Sequence, residues 1–477
     1  MNTACDSTPH DRSPEAALGA IRTHEGPVLL DLDETLYLRN STEDFIDSAR
    51  PAVLALLLMR LLDFVKPWRW TGGEATRDVW RVRSIWWCFP RTLHHWKNRV
   101  ADLARNFTNL RLMDVLQLRT SPIIATSGFQ PIVEPLVAAL GLPQAQIVAA
   151  RLTTFDDRRD GKLKLAVDAL GDDTVRRALV LTDSSQDLTL LDACALPLRT
   201  VWPEAGLRHA LSGVYLPGQY LSRVKRPGTR YIVRGIVQED FALWVFCSIG
   251  LAALPVLHVL GLTLLAVSFW SIYELGYVDN DRIAARFEAD PKLSAAFHDA
   301  PVATPRFLPW IWAFATGAGA LFVLRWPDHP APTDFAAWCA VLLATHGWFL
   351  MYNRFDKGTR VWLFAGLQFA RGAAFAALVA IPLVGAIAIG AHVLAKWVPY
   401  CFYRLGGKDW PDEPVNLIRL LFFAVLAPLL CAAHGFSALL NWTTLGLLAW
   451  MLFRARREIA AAWNAASRLD RVDPGAT

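Results

Sequence analysis

The sequence predicts two architectures in series: an α/β Rossmann-like domain with a helical cap over residues 26–214, then an all-α polytopic membrane bundle over 241–460. Three observations predict this. Charged residues vanish from long stretches of the second half but not of the first. Apolar runs in the first half end in carboxylates or hydroxyls, and about 80 residues separate the first two of these runs. The chain averages conceal the split. Of 477 residues, 54% are hydrophobic and 19% charged, against about 25% charged in soluble chains. Length alone suggests roughly three domains. The net charge of +5 is too small to support nucleic-acid binding. Seven cysteines (Cys5, Cys88, Cys194, Cys247, Cys339, Cys401 and Cys431) stand apart, which fits neither a disulfide framework nor a zinc ribbon.

Residues 1–25 read as a flexible polar N-terminus without the apolar core of a signal peptide. Pro27–Tyr37 (PVLLDLDETLY) reads as a buried strand that delivers Asp31 and Asp33 to its C-terminal edge, where open α/β sheets bind ligands. Ser121–Gly128 (SPIIATSG) is a second strand, ending in Thr126 and Ser127. Gly161–Leu165 (GKLKL) offers Lys162 and Lys164 before a helix, and Ala178–Asp187 (ALVLTDSSQD) is a strand ending in Asp183, with Asp187 four residues on. The insertion over about 40–118 is too long for a loop and reads helical. Its start, Pro51–Val65, is strongly apolar. It continues through Trp68, Trp70, Trp80, Trp86, Trp87 and Trp96, interleaved with Arg69, Arg81, Arg83, Arg91, Lys97 and Arg99. Such rings and cations suit a membrane interface; alternatively the rings fill the cap's own core and the arginines form its rim. His94 and His95 are adjacent, a poor spacing for one metal, and read as surface residues.

Taken in order, these segments resemble the haloacid dehalogenase (HAD) superfamily of aspartyl phosphatases: DxDxT, a hydroxyl after a strand, a lysine and a DxxxD pair, over roughly residues 26–210. The resemblance implies a Mg²⁺-dependent phosphohydrolase with an aspartyl-phosphate intermediate and a cap over its site. Asp31 would be the nucleophile, and Asp33 the general acid and then base. Asp31, Asp33 through its carbonyl, and Asp183 would hold Mg²⁺. Asp187 would be a further carboxylate of the metal site or a helix N-terminal residue. Thr126 or Ser127 would bond a phosphoryl oxygen, and Lys164 or Lys162 would offset the charge; spacing favours Thr126 and Lys164.

In the second half, runs free of Asp, Glu, Lys and Arg predict about eight spans, near 241–257, 259–276, 307–325, 335–352, 360–376, 377–396, 417–433 and 437–453. His258–Gly261, Arg371–Gly372 and His434–Ser437 are the expected tight turns. Alternate loops carry the cations: Arg282, Arg286, Lys292 and Arg306; Arg354, Lys357 and Arg360; Arg404, Lys408 and Arg419; then Arg454, Arg456 and Arg457. By the positive-inside rule both termini, and the α/β domain, are cytoplasmic at the inner membrane. Residues 215–240 read as a basic juxtamembrane joint drawn to anionic lipid, and 461–477 as a flexible C-terminus.

Glu274 falls within a span, where a carboxylate is costly and functional by default. Glu274, Asp281 and Glu288 are spaced by seven, which puts them on about one face of a continued helix. In MYNRFDKGTR, Asn353 and Asp356 are three apart. Two acidic clusters at these places could bridge Mg²⁺ to a diphosphate. The layout resembles the UbiA superfamily of intramembrane prenyltransferases, whose bacterial members include fusions with a HAD domain. Asn280 and Asp281 match the start of NDxxDxxxD, while Ala284 and Glu288 depart from it. Tyr352 and Asp356 match YDxxDxxxD, while Asn353 and Arg360 depart, Arg360 being suited to bind phosphate directly. The expected function is transfer plus dephosphorylation of an isoprenoid- or lipid-linked phosphate. The alternatives are a HAD phosphohydrolase on an inert membrane anchor and a non-catalytic membrane assembly protein.

Overall fold

The structure, a computed structural model, describes residues 9–116, 122–299, 306–406 and 413–469. Ser121, Lys408 and the outer parts of the two expected tails lie outside the described residues. The chain divides into two compact units, Met1–Val214 and Tyr215–Thr477.

In the first unit α1 (Pro14–Thr23), capped by Ser13, buries Ala17, Leu18 and Ile21. The chain from Pro14 onward is therefore packed structure rather than the expected flexible tail. There follow β1 (Val28–Leu30) and the inserted helices α2 (Ser41–Ile46), α3 (Ala52–Val65), α4 (Arg77–Cys88), α5 (Thr92–Phe107) and α6 (Leu110–Leu116). The chain then alternates through β2 (Ile123–Phe129), α7 (Gln130–Ala139), β3 (Gln146–Ala150), α8 (Asp156–Asp160) and α9 (Lys162–Leu170). It ends with α10 (Asp172–Arg177), β4 (Leu179–Thr182), α11 (Leu188–Ala193) and β5 (Leu196–Arg199). The five strands form one parallel sheet in the order β3-β2-β1-β4-β5. β1 is buried along its whole length, as a central parallel strand must be, which is why VLL reads as an unbroken apolar run. The connections run outward in opposite directions from β1 and β4, so the crevice of the sheet opens beyond their carboxyl ends.

The insertion packs on itself and on the rest of the α/β unit. Trp96 is buried and donates to the Ile132 carbonyl at 3.0 Å, Trp68 donates to Glu74 at 2.9 Å, and Phe45 stacks on Trp86. Arg81 makes a two-pronged contact with Glu43 at 2.6 and 3.0 Å, and Arg83 donates to the Leu152 carbonyl at 2.6 Å. For these residues the interleaved Trp/Arg pattern is cap core and rim. Trp87, of the same pattern, is 83% exposed, and further apolar residues before it lie in the open too. α3 buries Ala55, Leu56 and Met59 but leaves Leu54, Leu57, Leu61 and Phe64 in the open, with Phe64 85% exposed and Trp70 just beyond at 77%.

The second unit begins with two wide-turned helices, Leu221–Lys225 and Ile232–Phe241, the latter running into α12 (Ala242–Ser248). Then come α13 (Pro255–Phe287), the short α14 (Ala295–Asp299), α15 (Phe307–Leu324), α16 (Pro332–Arg354), α17 (Val361–Ala373), α18 (Leu383–Gly406), α19 (Val415–His434) and α20 (Trp442–Leu469). α20 carries helix well past residue 461, into the expected flexible tail. Among the described residues five helices are long and apolar enough to cross a membrane: Pro255–Phe287, Phe307–Leu324, Pro332–Arg354, Leu383–Leu405 and Val415–His434. The other places where spans were expected hold shorter or partly charged helices. Two expected turns move. His258 and Gly261 lie inside α13, because the break comes earlier and Pro255 starts the new helix, where its missing N–H is harmless. Arg371 lies inside α17, and the break falls at 378–382, before α18. α13 is the buried axis of the unit, and packing on it is close: a Cβ at Gly276 would meet the Phe349 ring at 2.3 Å.

Candidate functional site

β1 and β4 deliver two carboxylates to the crevice, Asp31 directly after Leu30 and Asp183 directly after Thr182. The Asp31 N–H donates to the Leu181 carbonyl at 2.8 Å, which fixes the carboxylate between the two strand ends. The chain then turns sharply, with Glu34 at φ 56°, and brings Asp33 against α2. There Asp33 accepts hydrogen bonds from the Ser41 N–H at 2.8 Å and the Ser41 hydroxyl at 3.1 Å. Thr126, buried midway along β2, borders the same space: a Cβ on Gly128 would lie 3.3 Å from Thr126 Oγ1 and 3.4 Å from Ser41 Oγ. Thr126 accepts the Gly128 N–H at 3.0 Å. Ser127 is only partly buried, and its carbonyl accepts from Arg158 at 2.6 Å.

The lysine is Lys162, not the expected Lys164. Lys162 begins α9 after Gly161, whose φ of 88° no other residue adopts easily. Its ammonium is buried, 2.8 Å from Asp31 Oδ2 and 2.6 Å from Asp187 Oδ2. Lys164 lies two residues on, about 200° round the helix, exposed and paired with Asp160 at 2.7 Å. Asp187 is likewise not placed as a metal ligand. Its Oδ2 is taken by Lys162 and by Thr182 Oγ1 at 2.6 Å, so it orients the lysine. Sequence reasoning missed Thr182, whose hydroxyl also lies 2.9 Å from Asp31 Oδ2. A lone hydroxyl ending an apolar strand was its only signal. Thr35, which donates to Asp183 at 3.3 Å, was the T of DxDxT.

Burial pushes the Asp31 carboxyl up, and pushes Asp33 up to about 7. Burial, then the charge of Asp31, pushes Asp183 up to about 7. Although burial opposes its charge, Asp31 and Asp187 hold the Lys162 ammonium above its ordinary value. Among the described residues no group of three or more His, Cys, Asp or Glu is placed to hold a metal ion. Mg²⁺ needs fewer, since it keeps several waters and takes one or two carboxylates plus phosphate oxygens. Asp31, buried and paired with Lys162, and Asp183, half-buried close enough to feel its charge, are a donor set that fits such a cation.

This has a measurable consequence. Carboxyl groups raised in the folded state make stability fall as pH rises from their unfolded value near 3.8 to about 7. In EDTA, the unfolding midpoint of the α/β unit within the full chain is expected to decline across that window. MgCl₂ is expected to raise the midpoint more at about pH 8 than at about pH 5, where protons compete for the same oxygens. A midpoint that rises across the window, or a Mg²⁺ effect independent of pH, would contradict the assignment.

In the membrane unit the expected acidic site is dispersed and satisfied from within. Glu274, buried in α13, accepts from Tyr215 Oη at 2.8 Å and from the N–H groups of Gly218 and Leu221, both at 2.9 Å. It thus pins down the segment expected to be a basic joint. Asp281 accepts from Tyr220 Oη at 2.9 Å and pairs with Lys225. Glu288 lies past the end of α13, in extended backbone, so it leaves the helical face expected for it; it pairs with Lys357 at 3.0 Å and Arg360 at 2.9 Å. Asp356 accepts the N–H groups of its own loop, Gly358 and Thr359, at 2.9 and 3.0 Å. The Tyr352 and Tyr400 hydroxyls lie 2.9 Å apart, Asn353 lies 3.5 Å from the Gly276 carbonyl, and Asn280 is half-buried on α13. Glu288, Arg360 and Tyr352 come together, the Arg360 guanidinium lying 5.2 Å from the Tyr352 ring centre, while Asp356 closes on its own loop.

The fold and site together define a class: a doubly wound α/β domain with a buried carboxylate–lysine site, in one chain with a multi-pass helical membrane unit. No family model matches the chain, and no curated protein or solved structure is significantly similar to it.

Proposed function

We propose that the protein is a membrane-anchored, Mg²⁺-dependent phosphohydrolase of the HAD type, which removes phosphate from a lipid-borne monoester. The observation that carries this reading is the convergence of Asp31, Asp33, Thr126, Lys162 and Asp183 at the crevice of the sheet. An Asp31 oxygen attacks phosphorus as the ester P–O bond breaks, giving an aspartyl phosphate. Asp33, protonated to near neutral pH by its burial, donates its proton to the departing oxygen and later takes one from the attacking water. Thr126 donates to a phosphoryl oxygen, and Lys162 offsets the charge that phosphate adds to the carboxylates. Mg²⁺, held by Asp31, Asp183 and the Asp33 carbonyl, would neutralise phosphoryl oxygens. The test is Mg²⁺-dependent phosphate release from phosphomonoesters by the full chain in detergent; no release with any of them would end this reading.

The membrane unit serves this function as an anchor, with cation-rich loops that orient both termini to the cytoplasm of the inner membrane. Because each acid of the UbiA-like pattern is already paired or hydrogen-bonded locally, this reading is favoured over prenyl transfer. Asp281→Ala and Asp356→Ala are accordingly expected to leave phosphate release unchanged within about twofold, a difference under about 0.5 kcal/mol. The exposed face of α3 favours a bilayer-borne substrate: Leu54, Leu57, Leu61 and Phe64 lie along it, with Arg60 and Arg69 exposed beside them, the composition of a helix lying in the headgroup layer. Leu57→Glu combined with Leu61→Glu is expected to slow turnover of a polyprenyl phosphate in liposomes about tenfold, leaving p-nitrophenyl phosphate turnover unchanged. Equal loss on both substrates would remove the membrane role of α3.

A further inference from the structure

The acids of the membrane unit are committed, but three of its cations share a single one of them. Glu239 and Asp240 lie side by side in the helix before α12, both buried. Asp240 is fully engaged: it accepts two hydrogen bonds from Arg371, at 2.8 and 2.9 Å, and lies 3.2 Å from His392 Nε2. Glu239 is outnumbered. It pairs with Arg419 and Arg454 and has Lys396 at 3.9 Å, one carboxylate for three cations drawn from α18, α19 and α20. Glu458, one turn beyond Arg454, is taken by Asn416 and the Leu417 N–H at 2.6 and 2.7 Å. Among the described residues no other carboxylate is in ion-pair contact with these cations, although Asp240 lies near Lys396 and Arg419, and Glu413 near Lys396.

A guanidinium does not discharge inside a protein, and a desolvated cation without counter-charge is costly. The Arg419 side chain is 1% exposed, yet its Nε and Nη1 have no acceptor, nor has Arg454 Nε. The Lys396 and Arg454 side chains remain 22% and 24% exposed. The cluster thus has a buried floor with unused N–H groups and two cations at its mouth. We propose that Lys396, Arg419 and Arg454 form an anion site that takes a phosphate or diphosphate group, free or as the headgroup of a lipid. Guanidinium forks match phosphate oxygens, and the ligand supplies the charge that Glu239 alone does not. The site is distinct from the Asp31 crevice and does not rest on the phosphatase reading.

The test uses the full chain in neutral detergent with EDTA, which suppresses Mg²⁺-dependent binding elsewhere. Two probes are measured by equilibrium binding, radiolabelled inorganic pyrophosphate and farnesyl phosphate. Saturable binding of either is expected; pyrophosphate binding marks a free anion as a sufficient ligand, and farnesyl phosphate alone marks a lipid headgroup. Lys396→Gln and Arg454→Gln, at the partly exposed mouth, should each weaken binding about tenfold. Glu239→Gln should tighten it, which loss of a merely structural ion pair would not do. Asp31→Asn should leave it unchanged, so a failed phosphatase reading does not count against this site. No saturable binding of either probe, or equal affinities in the parent and both mouth variants, would overturn the proposal.

Discussion

Asp31→Asn is expected to lower Mg²⁺-dependent phosphate release by about 10³-fold or more, about 4 kcal/mol of lost transition-state stabilisation. The carboxamide keeps the size of the side chain but cannot carry the phosphoryl group. It is also expected to abolish trapping of the site by beryllium fluoride. The folded unit should survive. Asp31 is a buried carboxylate whose charge burial already disfavours, so its neutral replacement is not expected to lower the unfolding midpoint in EDTA at neutral pH. Lys162 keeps Asp187 as its partner at 2.6 Å. Lost turnover with an intact midpoint is therefore the signature of a nucleophile. Turnover that survives Asp31→Asn would show that the chemistry runs through some other group, and the aspartyl-phosphate reading would fall.

What the sequence made legible, and what it hid, follows from how far apart the deciding partners are. β1 and β4 were readable because a central parallel strand is apolar on both faces and here stops abruptly at a carboxylate. The inserted helices were readable by length alone. The sense of the Trp/Arg pattern was not, since Trp96 is settled by the Ile132 carbonyl and Arg81 by Glu43, contacts that no local spacing reveals. In the membrane unit Arg371 reads as a turn residue because a charge in an apolar run looks like a break. It lies inside a helix because Asp240, 131 positions away, neutralises it. The acidic pattern misled for the same reason: Glu274 and Asp281 have the spacing of a ligand face, but the segment before the first span supplies the donors that satisfy them.

The two lysines put the candidate site to its sharpest test, because residues two apart on one helix should behave oppositely. Lys162→Met is expected to reduce phosphate release by about 10²-fold or more. It leaves Asp31 and Asp187 buried and unpaired, and losing one partner from a buried ionic cluster destabilises by about 3 kcal/mol. Lys164→Met removes an exposed partner of Asp160 and should leave both turnover and unfolding midpoint unchanged. Because Lys162→Met lowers stability as well as rate, Lys162→Arg supplies the control. It restores the charge beside Asp31 and with it stability, but a planar fork does not fit the place of a compact ammonium, so turnover should recover only in part. Full activity in Lys162→Met, or loss confined to Lys164→Met, would mean that the ammonium 2.8 Å from Asp31 holds the fold together and that the phosphate is met from the other side of α9.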